Sequence, residues 1–317
     1  MLKINKQKVR LPSVIIPYDG PILKQGAQDV FLYLRPESNG VLVESLLLQV
    51  VKSDVYTEKC RVVYLANMPG DFIVKNRIIE QHYALKIAFA RKGKRMFTSH
   101  MKREFERFFQ CPFDSAPVIG SFDAIKKLDL SFENLFSCWV APYHYAVING
   151  QSIKYYKDHY IINYDIPAIL HKNTRKTDFA VMIFRSLLTR SEFHHMVEDM
   201  RTVLVKKGII SETRPLARTF HYSSGPFEQL LDGIGYLYDR SANHLPFESL
   251  SFAAYLTEHG IRKKDILDAV RNPIMHFRTD EGRIIEENIF SYTIDDTFHD
   301  AMVKFQSRIM KPGKKKL

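Results

Sequence analysis

The chain has 317 residues, of which 45% are hydrophobic and 12% aromatic, values typical of a globular protein with a sizeable core. Three irregularly spaced cysteines argue against a disulfide framework and against a zinc knuckle, so we expect a reducing, cytoplasmic location. No stretch approaches the roughly 18 consecutive apolar residues of a membrane span, and no signal-peptide pattern follows the first residues. We therefore expect no membrane span.

Positive charge is concentrated at the two ends of the chain. Residues 1–110 contain 19 Lys or Arg against 10 Asp or Glu, whereas residues 111–310 contain 23 against 25. The last seven residues add four lysines. Because a basic region attracts anionic partners, we expect the two ends to contact nucleic acid, another polyanion or an acidic protein.

The first part of the chain predicts strands followed by a short helix. Residues 41–51 are dense in Val and Leu and predict a buried strand, and residues 60–66 predict a second one. Residues 72–90 fit a strand or a helix equally well. Residues 91–95 then predict a loop, and residues 98–109 predict a helix that is capped by its first Thr or Ser and buries one apolar face.

The remainder of the chain alternates hairpins with helices. Asn149-Gly150 is the strongest two-residue turn signal and predicts a hairpin. Residues 191–207 show the clearest helical spacing of apolar residues and end at a glycine. The other predicted elements are hairpin arms at 145–148 and 152–156, strands at 159–164 and 179–184, helices at 247–259, 263–270 and 296–310, and a second hairpin from 274–278 and 284–287.

These elements predict an α+β fold in two parts. Residues 1–115 would form a basic, β-rich domain, and residues 116–310 an α+β domain with antiparallel hairpins and several helices. The boundary is predicted near Pro112 and Gly120, because proline and glycine commonly punctuate linkers. Residues 311–317, which are rich in lysine, would form a disordered basic tail.

The densest basic cluster defines a candidate ligand-binding site. Cations in the first turn of a helix oppose the helix dipole, at a cost of roughly 0.3–1 kcal/mol each at low salt. A bound phosphate would reverse that effect, because free backbone N–H groups and side-chain cations would face it together. We therefore predict an anion site at the loop around Gly93 and the start of the following helix; a solvated loop without a ligand is the alternative. Its predicted ligand-binding residues are Lys92, Lys94, Arg95, Lys102 and Arg103.

A polar run at residues 171–178 supports an enzyme hypothesis. It lies between two apolar segments, so His171 could perform acid–base chemistry while Asp178 orients it. A plain connecting loop is the simpler interpretation. The chain has no Gly-x-Ser-x-Gly motif and no Walker phosphate loop, so the sequence leaves open whether the protein is an enzyme.

We predict no metal site and no cofactor. His194 precedes Glu198 by four residues, and His195 precedes Asp199 by four, which is a spacing that places two ligands on one helix face. The two histidines project about 100° apart on the helix, so both pairs cannot serve one ion. No further ligands can be located from the sequence.

Three functional hypotheses follow from the sequence. The first is a soluble cytoplasmic binding or regulatory protein whose basic N-terminal face engages a polyanion or a phosphate-bearing ligand. The second is a hydrolase or transferase acting on a phosphorylated substrate. The third is a non-catalytic subunit of a larger protein assembly, which would expose an apolar patch.

Overall fold

The computed structural model describes residues 9–22, 26–213 and 216–309, so the predicted basic tail lies outside the described residues. The strands are β1 (Ser13–Ile16), β2 (Gln28–Leu34), β3 (Cys60–Met68), β4 (Val118–Gly120), β5 (Tyr145–Ile148), β6 (Gln151–Tyr156), β7 (His159–Ile162), β8 (Phe179–Ser186), β9 (Phe220–Tyr222), β10 (Ile274–Arg278) and β11 (Ile284–Asn288). The helices are α1 (Val41–Val51), α2 (Gly70–Asn76), α3 (Ile78–His82), α4 (Ala84–Lys92), α5 (Ser99–Phe109), α6 (Ser121–Lys127), α7 (Phe132–Ser137), α8 (Ile166–Lys172), α9 (Arg190–Lys206), α10 (Pro226–Tyr236), α11 (Ser251–Glu258), α12 (Lys263–Arg271), α13 (Ile289–Tyr292) and α14 (Phe298–Gln306).

The predicted α+β class is confirmed. The chain forms two compact units, and they are interleaved along the sequence. Among the described residues, the first unit comprises 9–22, 26–78, 173–213, 216–263 and 295–298, and the second comprises 79–172, 264–294 and 299–309. The boundary predicted near residue 115 therefore falls inside the second unit. The proline- and glycine-containing segment that suggested it leads instead into the short strand β4.

The first unit is built on a five-stranded antiparallel sheet with the order β1-β3-β8-β2-β9. Helices α1 and α9 pack against the face of β2 that carries Val30, Leu32 and Leu34. The intervening Tyr33 contacts Tyr236 of α10, with ring centroids 5.0 Å apart. Because the central strands are covered on both faces, they show continuous apolar runs rather than alternation.

The prediction of a strand at residues 41–51 is wrong, because this segment forms helix α1. Its buried residues are Val43, Leu46, Leu47, Val50 and Val51, which lie at helical spacing on one face. The β-branched composition favoured a strand locally, but packing of this face against α9 outweighs that weak propensity.

The first 115 residues contain more helix than predicted. The ambiguous segment 72–90 lies within α2, α3 and α4, and the expected loop at 91–95 is the end of α4 followed by a 3-10 turn at Gly93–Met96. Strands β1, β2 and β3 are the only strands in the described part of this region, so its β-rich description is too strong. None of the described helices combines the length and apolarity that crossing a bilayer requires.

The second unit contains a four-stranded sheet with the order β4-β7-β6-β5, in which β4 runs parallel to β7 and the other pairs are antiparallel. Helix α5 buries Met101 and Phe105 in a core that includes residues of β4, β5, β6 and β7. Phe105 has ring contacts with Phe113 at 5.1 Å and with Tyr160 at 4.8 Å. This aromatic packing holds α5 on the sheet.

Several local predictions are confirmed. The hairpin β5–β6 closes at Asn149-Gly150, where both residues have positive φ (46° and 73°), as a tight two-residue turn requires. The second predicted hairpin is β10–β11. Helix α5 begins after Thr98, whose side chain caps it as predicted. Helix α9 begins with a capping box formed by Thr189 and Glu192, which the sequence analysis did not predict.

We predict that Gly120→Ala strongly destabilises the second unit. A Cβ at this position would lie 2.1 Å from the carbonyl oxygen of Ala90, which belongs to the backbone and cannot rotate away. We expect a loss of about 3 kcal/mol in the free energy of unfolding, measured by chemical denaturation.

Gly235→Ala is the matched control for this substitution. A Cβ at Gly235 would meet only Ile78 Cγ2, at an ordinary 3.5 Å, and the residue lies within α10. We expect a neutral or slightly stabilising effect. Equal losses in the two variants would contradict the steric explanation.

Candidate functional site

The start of α5 already contains a buried anionic group. Thr98 Oγ1 accepts a hydrogen bond from the backbone N–H of Met101 at 3.1 Å and donates one to Glu286 Oε1 at 2.5 Å. Glu286 is buried and also accepts a hydrogen bond from Asn149 Nδ2 at 2.8 Å. The positive end of the helix dipole stabilises a nearby carboxylate, and here Glu286 of the protein itself supplies that carboxylate.

The backbone around Gly93 is also packed against another part of the protein. Gly93 is buried with φ of 55°, and a Cβ there would lie 2.9 Å from the backbone nitrogen of Gly120. The loop therefore packs tightly against β4 and does not form an open nest of N–H groups for a phosphate. These two observations argue against backbone N–H groups as ligands of the predicted anion, so only the basic side chains remain as candidates.

Two of the five predicted binding residues are engaged by the protein. Lys94 Nζ donates hydrogen bonds to the carbonyl oxygens of Asp114 (2.6 Å) and Ala116 (3.2 Å). Lys102 Nζ forms an ion pair with Asp114 at 3.0 Å. Both ammonium groups also lie over the ring of Phe113, at 5.2 and 5.3 Å from its centroid. These two lysines fasten the 112–116 segment to the unit.

The other three predicted residues remain exposed. Lys92 ends α4, Arg95 lies in the 3-10 turn, and Arg103 lies in α5. Within the described ranges, no acidic side chain pairs with any of them. Arg91 is exposed beside them, and its guanidinium lies 5.6 Å from the centroid of the Phe122 ring. We refer to Arg91, Lys92, Arg95 and Arg103 as the basic surface.

His171 and Asp178 do not share contacts in the described structure. His171 lies at the end of α8 in the second unit, where its ring is 4.7 Å from that of Phe132. Asp178 belongs to the first unit and accepts hydrogen bonds from both terminal nitrogens of Arg10, at 2.7 and 2.9 Å. It also accepts one from the backbone N–H of Gly70 at 2.9 Å. Asp178 thus anchors the N-terminal segment to α2.

The first unit contains a histidine–carboxylate cluster that sequence analysis missed, in which only the aspartate is fully buried. His221 of β9 stacks on Tyr33, with ring centroids 4.6 Å apart, and its Nε2 lies 3.6 Å from Glu228 Oε1 and 3.8 Å from Asp232 Oδ2. Asp232 is fully buried, and this burial raises its pKa from 3.8 to about 6. The spacing of Glu228 and Asp232, four residues apart on α10, was the only available signal.

The helix pairs considered for a metal have other partners. His194 Nε2 accepts a hydrogen bond from Arg190 at 3.1 Å, and Asp199 accepts one from Tyr56 at 2.6 Å. Over the described ranges, no group of three or more His, Cys, Asp or Glu side chains is arranged to hold a metal ion.

Apolar side chains are exposed on the second unit between α7 and β6. Trp139 is 81% and Tyr143 70% exposed, and Val147 of strand β5 is also exposed. These residues are the kind of surface that the assembly hypothesis anticipated.

Comparison of the chain with protein-family models, curated proteins and solved structures finds no match. The function is therefore argued from the chemistry of the surfaces and sites described above.

We predict that Asp232→Asn stabilises the protein at neutral and alkaline pH. The raised pKa means that the folded state holds the Asp232 proton more tightly than the unfolded state does. The folded protein therefore loses stability as the pH rises from about 4 through 6 and this proton is released. At about 1.4 kcal/mol per pKa unit, the gain in D232N should reach about 3 kcal/mol near pH 8 and shrink as the pH falls below 6. Denaturation as a function of pH measures this difference.

Asp239→Asn provides the opposite control. Backbone N–H groups of Asn243 and Ser241 donate to Asp239 at 2.9 and 2.8 Å and lower the pKa of this exposed carboxyl. D239N should therefore lose stability at neutral pH and approach the parent protein in acid. An identical dependence of stability on pH for the two variants would contradict the raised pKa of Asp232.

Proposed function

We propose that the protein binds a polyanion through the basic surface of its second unit, and that nucleic-acid phosphates are the anionic groups recognised. The observation that carries this proposal is that cations close together in the sequence differ in their contacts with the rest of the protein. Lys94 and Lys102 are held by the 112–116 segment, whereas Lys92, Arg95 and Arg103 are exposed with no acidic partner among the described residues. Unneutralised cations release counterions from a polyanion when they contact its phosphates.

The composition of the surface favours contact with phosphates over recognition of bases. Its members are long, charged side chains, and the nearby phenylalanines Phe97, Phe105 and Phe113 are buried in the core of the unit. Stacking on bases requires exposed aromatic rings, and none of the four residues of the basic surface is aromatic, although Phe108 of α5 is exposed. We therefore expect binding that depends steeply on salt and weakly on sequence.

In this proposal the protein acts by binding, as a cytoplasmic regulatory protein. The enzyme alternative has less support, because the hydrogen bonds of the Asp178 carboxylate go to Arg10 and Gly70. The assembly alternative is supported by the exposed Trp139 and Tyr143. It would be favoured if no polyanion bound and if the protein self-associated in sedimentation experiments.

We predict that the triple variant Lys92→Gln, Arg95→Gln and Arg103→Gln binds polyanions with a reduced salt dependence. Each lost phosphate contact should lower the slope of log K against log salt by about one unit, so the full change is up to about three. Fluorescent single-stranded RNA, duplex DNA and anionic liposomes would be titrated at several salt concentrations. Steep binding to liposomes alone would redirect the proposal to a membrane surface.

A matched variant separates the basic surface from net charge. Lys52, Lys206 and Lys207 are exposed on the first unit, and their replacement by Gln removes the same three charges. We expect this variant to keep most of the salt dependence. Equal losses in both triple variants would show that only overall charge matters and would contradict a specific role of the basic surface.

A further inference from the structure

The second unit exposes large aromatic side chains beside its four-stranded sheet. Trp139 follows α7 and is 81% exposed, and Tyr143 lies in the 3-10 turn Pro142–His144 and is 70% exposed. Tyr145, the first residue of β5, is exposed as well. We refer to Trp139, Tyr143 and Tyr145 as the aromatic surface. Because rings of this size gain much free energy from burial, a group of them left in water indicates a binding surface.

A buried lysine holds the aromatic surface in place. Lys154 Nζ donates a hydrogen bond at 2.6 Å to the carbonyl oxygen of Cys138, the residue before Trp139. The same ammonium group lies 3.6 Å from the centroid of the Tyr164 ring, which is 6.4 Å from the ring of Tyr145. The backbone beside Trp139 and the ring of Tyr145 are therefore positioned by one side chain. Such preorganisation reduces the entropy that is lost when a ligand binds.

An exposed cation lies at the same end of the sheet as Tyr143. The start of β5 pairs with the last part of β6, so the 3-10 turn before β5 runs beside the end of β6. The ring of His144 in that turn is 5.0 Å from the ring of Tyr155 in β6. Lys157 directly follows β6, and within the described part of the chain no carboxylate pairs with it. This end of the sheet thus combines an exposed ring with an unpaired positive charge.

The segment that carries the aromatic surface contains no acidic residue. Residues 134–157 include two lysines and one histidine but no Asp or Glu, although 35 of the 317 residues in the chain are acidic. Asp158, the first carboxylate after this segment, accepts a hydrogen bond from the Tyr155 hydroxyl at 3.2 Å. A polyanion would therefore meet rings and cations along this segment without repulsion from carboxylates. This charge pattern favours an anionic partner over an uncharged one.

A row of aromatic rings connects the aromatic surface to α5. Each ring centroid in the row lies within 5.0 Å of the next, and the members are Tyr143, His144, Tyr155, Tyr160, Phe109 and Phe108. Phe108, at the end of the row, is exposed. It shares α5 with Arg103 of the basic surface, and five residues of an α-helix span about 7.5 Å along its axis. The aromatic surface and the basic surface are therefore connected within one unit.

Aromatic side chains can stack only on bases whose faces are accessible. In a duplex the bases stack on one another, whereas a single strand offers its base faces to aromatic side chains. We propose, resting on the function proposed above, that the polyanion is a single-stranded nucleic acid whose bases stack on Trp139 and Tyr143 while Lys157 contacts a phosphate. The aromatic surface adds a preference for single strands to the phosphate contacts of the basic surface.

The test uses the fluorescence of Trp139, which is the single tryptophan of the chain. The full-length protein would be titrated at low salt with oligouridylate or oligothymidylate of about 16 nucleotides, and with duplex DNA of the same length. Stacking of a base on the indole ring quenches its emission, so we expect quenching by at least one single strand and none by the duplex. The absence of quenching by both single strands would overturn the proposal.

Substitutions of Trp139 separate stacking from apolar contact. Trp139→Leu keeps an apolar side chain but removes the flat ring, and it should weaken the binding of a labelled single strand about tenfold or more. Trp139→Phe should keep most of the affinity, and neither change should affect folding, because the side chain is exposed. Fluorescence anisotropy of the labelled strand measures the affinity. Unchanged affinity in the leucine variant would overturn stacking on Trp139.

Tyr143 provides a second pair of variants. Tyr143→Ala should weaken single-strand binding to a similar extent, whereas Tyr143→Phe keeps the ring and should bind as the parent protein does. Both variants should bind duplex DNA with the affinity of the parent. Equal losses for single strands and duplex in Tyr143→Ala would overturn a role in stacking.

The failure of this proposal differs from the failure of the proposed function. If single strands and duplex bound equally well without quenching, while the Gln variant of Lys92, Arg95 and Arg103 lost salt dependence, the aromatic surface would be overturned and the basic surface supported. If that variant kept its full salt dependence while Trp139→Leu lost single-strand affinity, the basic surface would be contradicted and the aromatic surface supported. Self-association that Trp139→Leu abolishes, without nucleic-acid binding, would overturn both.

Discussion

The pairing of β8 with two strands at once is the constraint on which the first unit depends. β8 hydrogen-bonds to β3 on one side and to β2 on the other, and nearly all of its residues are buried. Because β2 and β3 come from the first 68 residues while β8 begins at Phe179, the intervening chain has to leave the sheet and return. That intervening chain forms most of the second unit, which explains why the two units are interleaved.

The buried polar groups divide according to how completely the protein satisfies them. Asp29 accepts hydrogen bonds from Arg185, Tyr18 and Ser251, and Glu286 accepts them from Thr98 and Asn149. These networks fix the positions of elements within their own units. The raised pKa of Asp232 marks a place where burial is less fully compensated, and a buried group with a perturbed pKa is a candidate for a functional role.

The basic cluster shows that charge density in a sequence does not specify the role of each cation. Lys94 and Lys102 bind Asp114 and the carbonyl oxygens of Asp114 and Ala116, because the chain that follows α5 passes beside these two lysines. Lys92, Arg95 and Arg103 have no such neighbour among the described residues. The proposed partner therefore meets a smaller set of charges than the sequence suggests, and these charges lie on α4, the 3-10 turn and α5 rather than on an irregular loop.

The sequence by itself determined the features that depend on neighbouring residues: the turn at Asn149-Gly150, the cap of α5, the buried face of α9 and the α+β class. These depend on backbone conformation and periodicity within a few residues. Tertiary structure decided that residues 41–51 form a helix, because packing against α9 outweighs their strand propensity. It also decided which cations remain exposed, and that His221 lies beside Asp232. Those outcomes depend on residues far apart in the chain, whose approach no local pattern encodes.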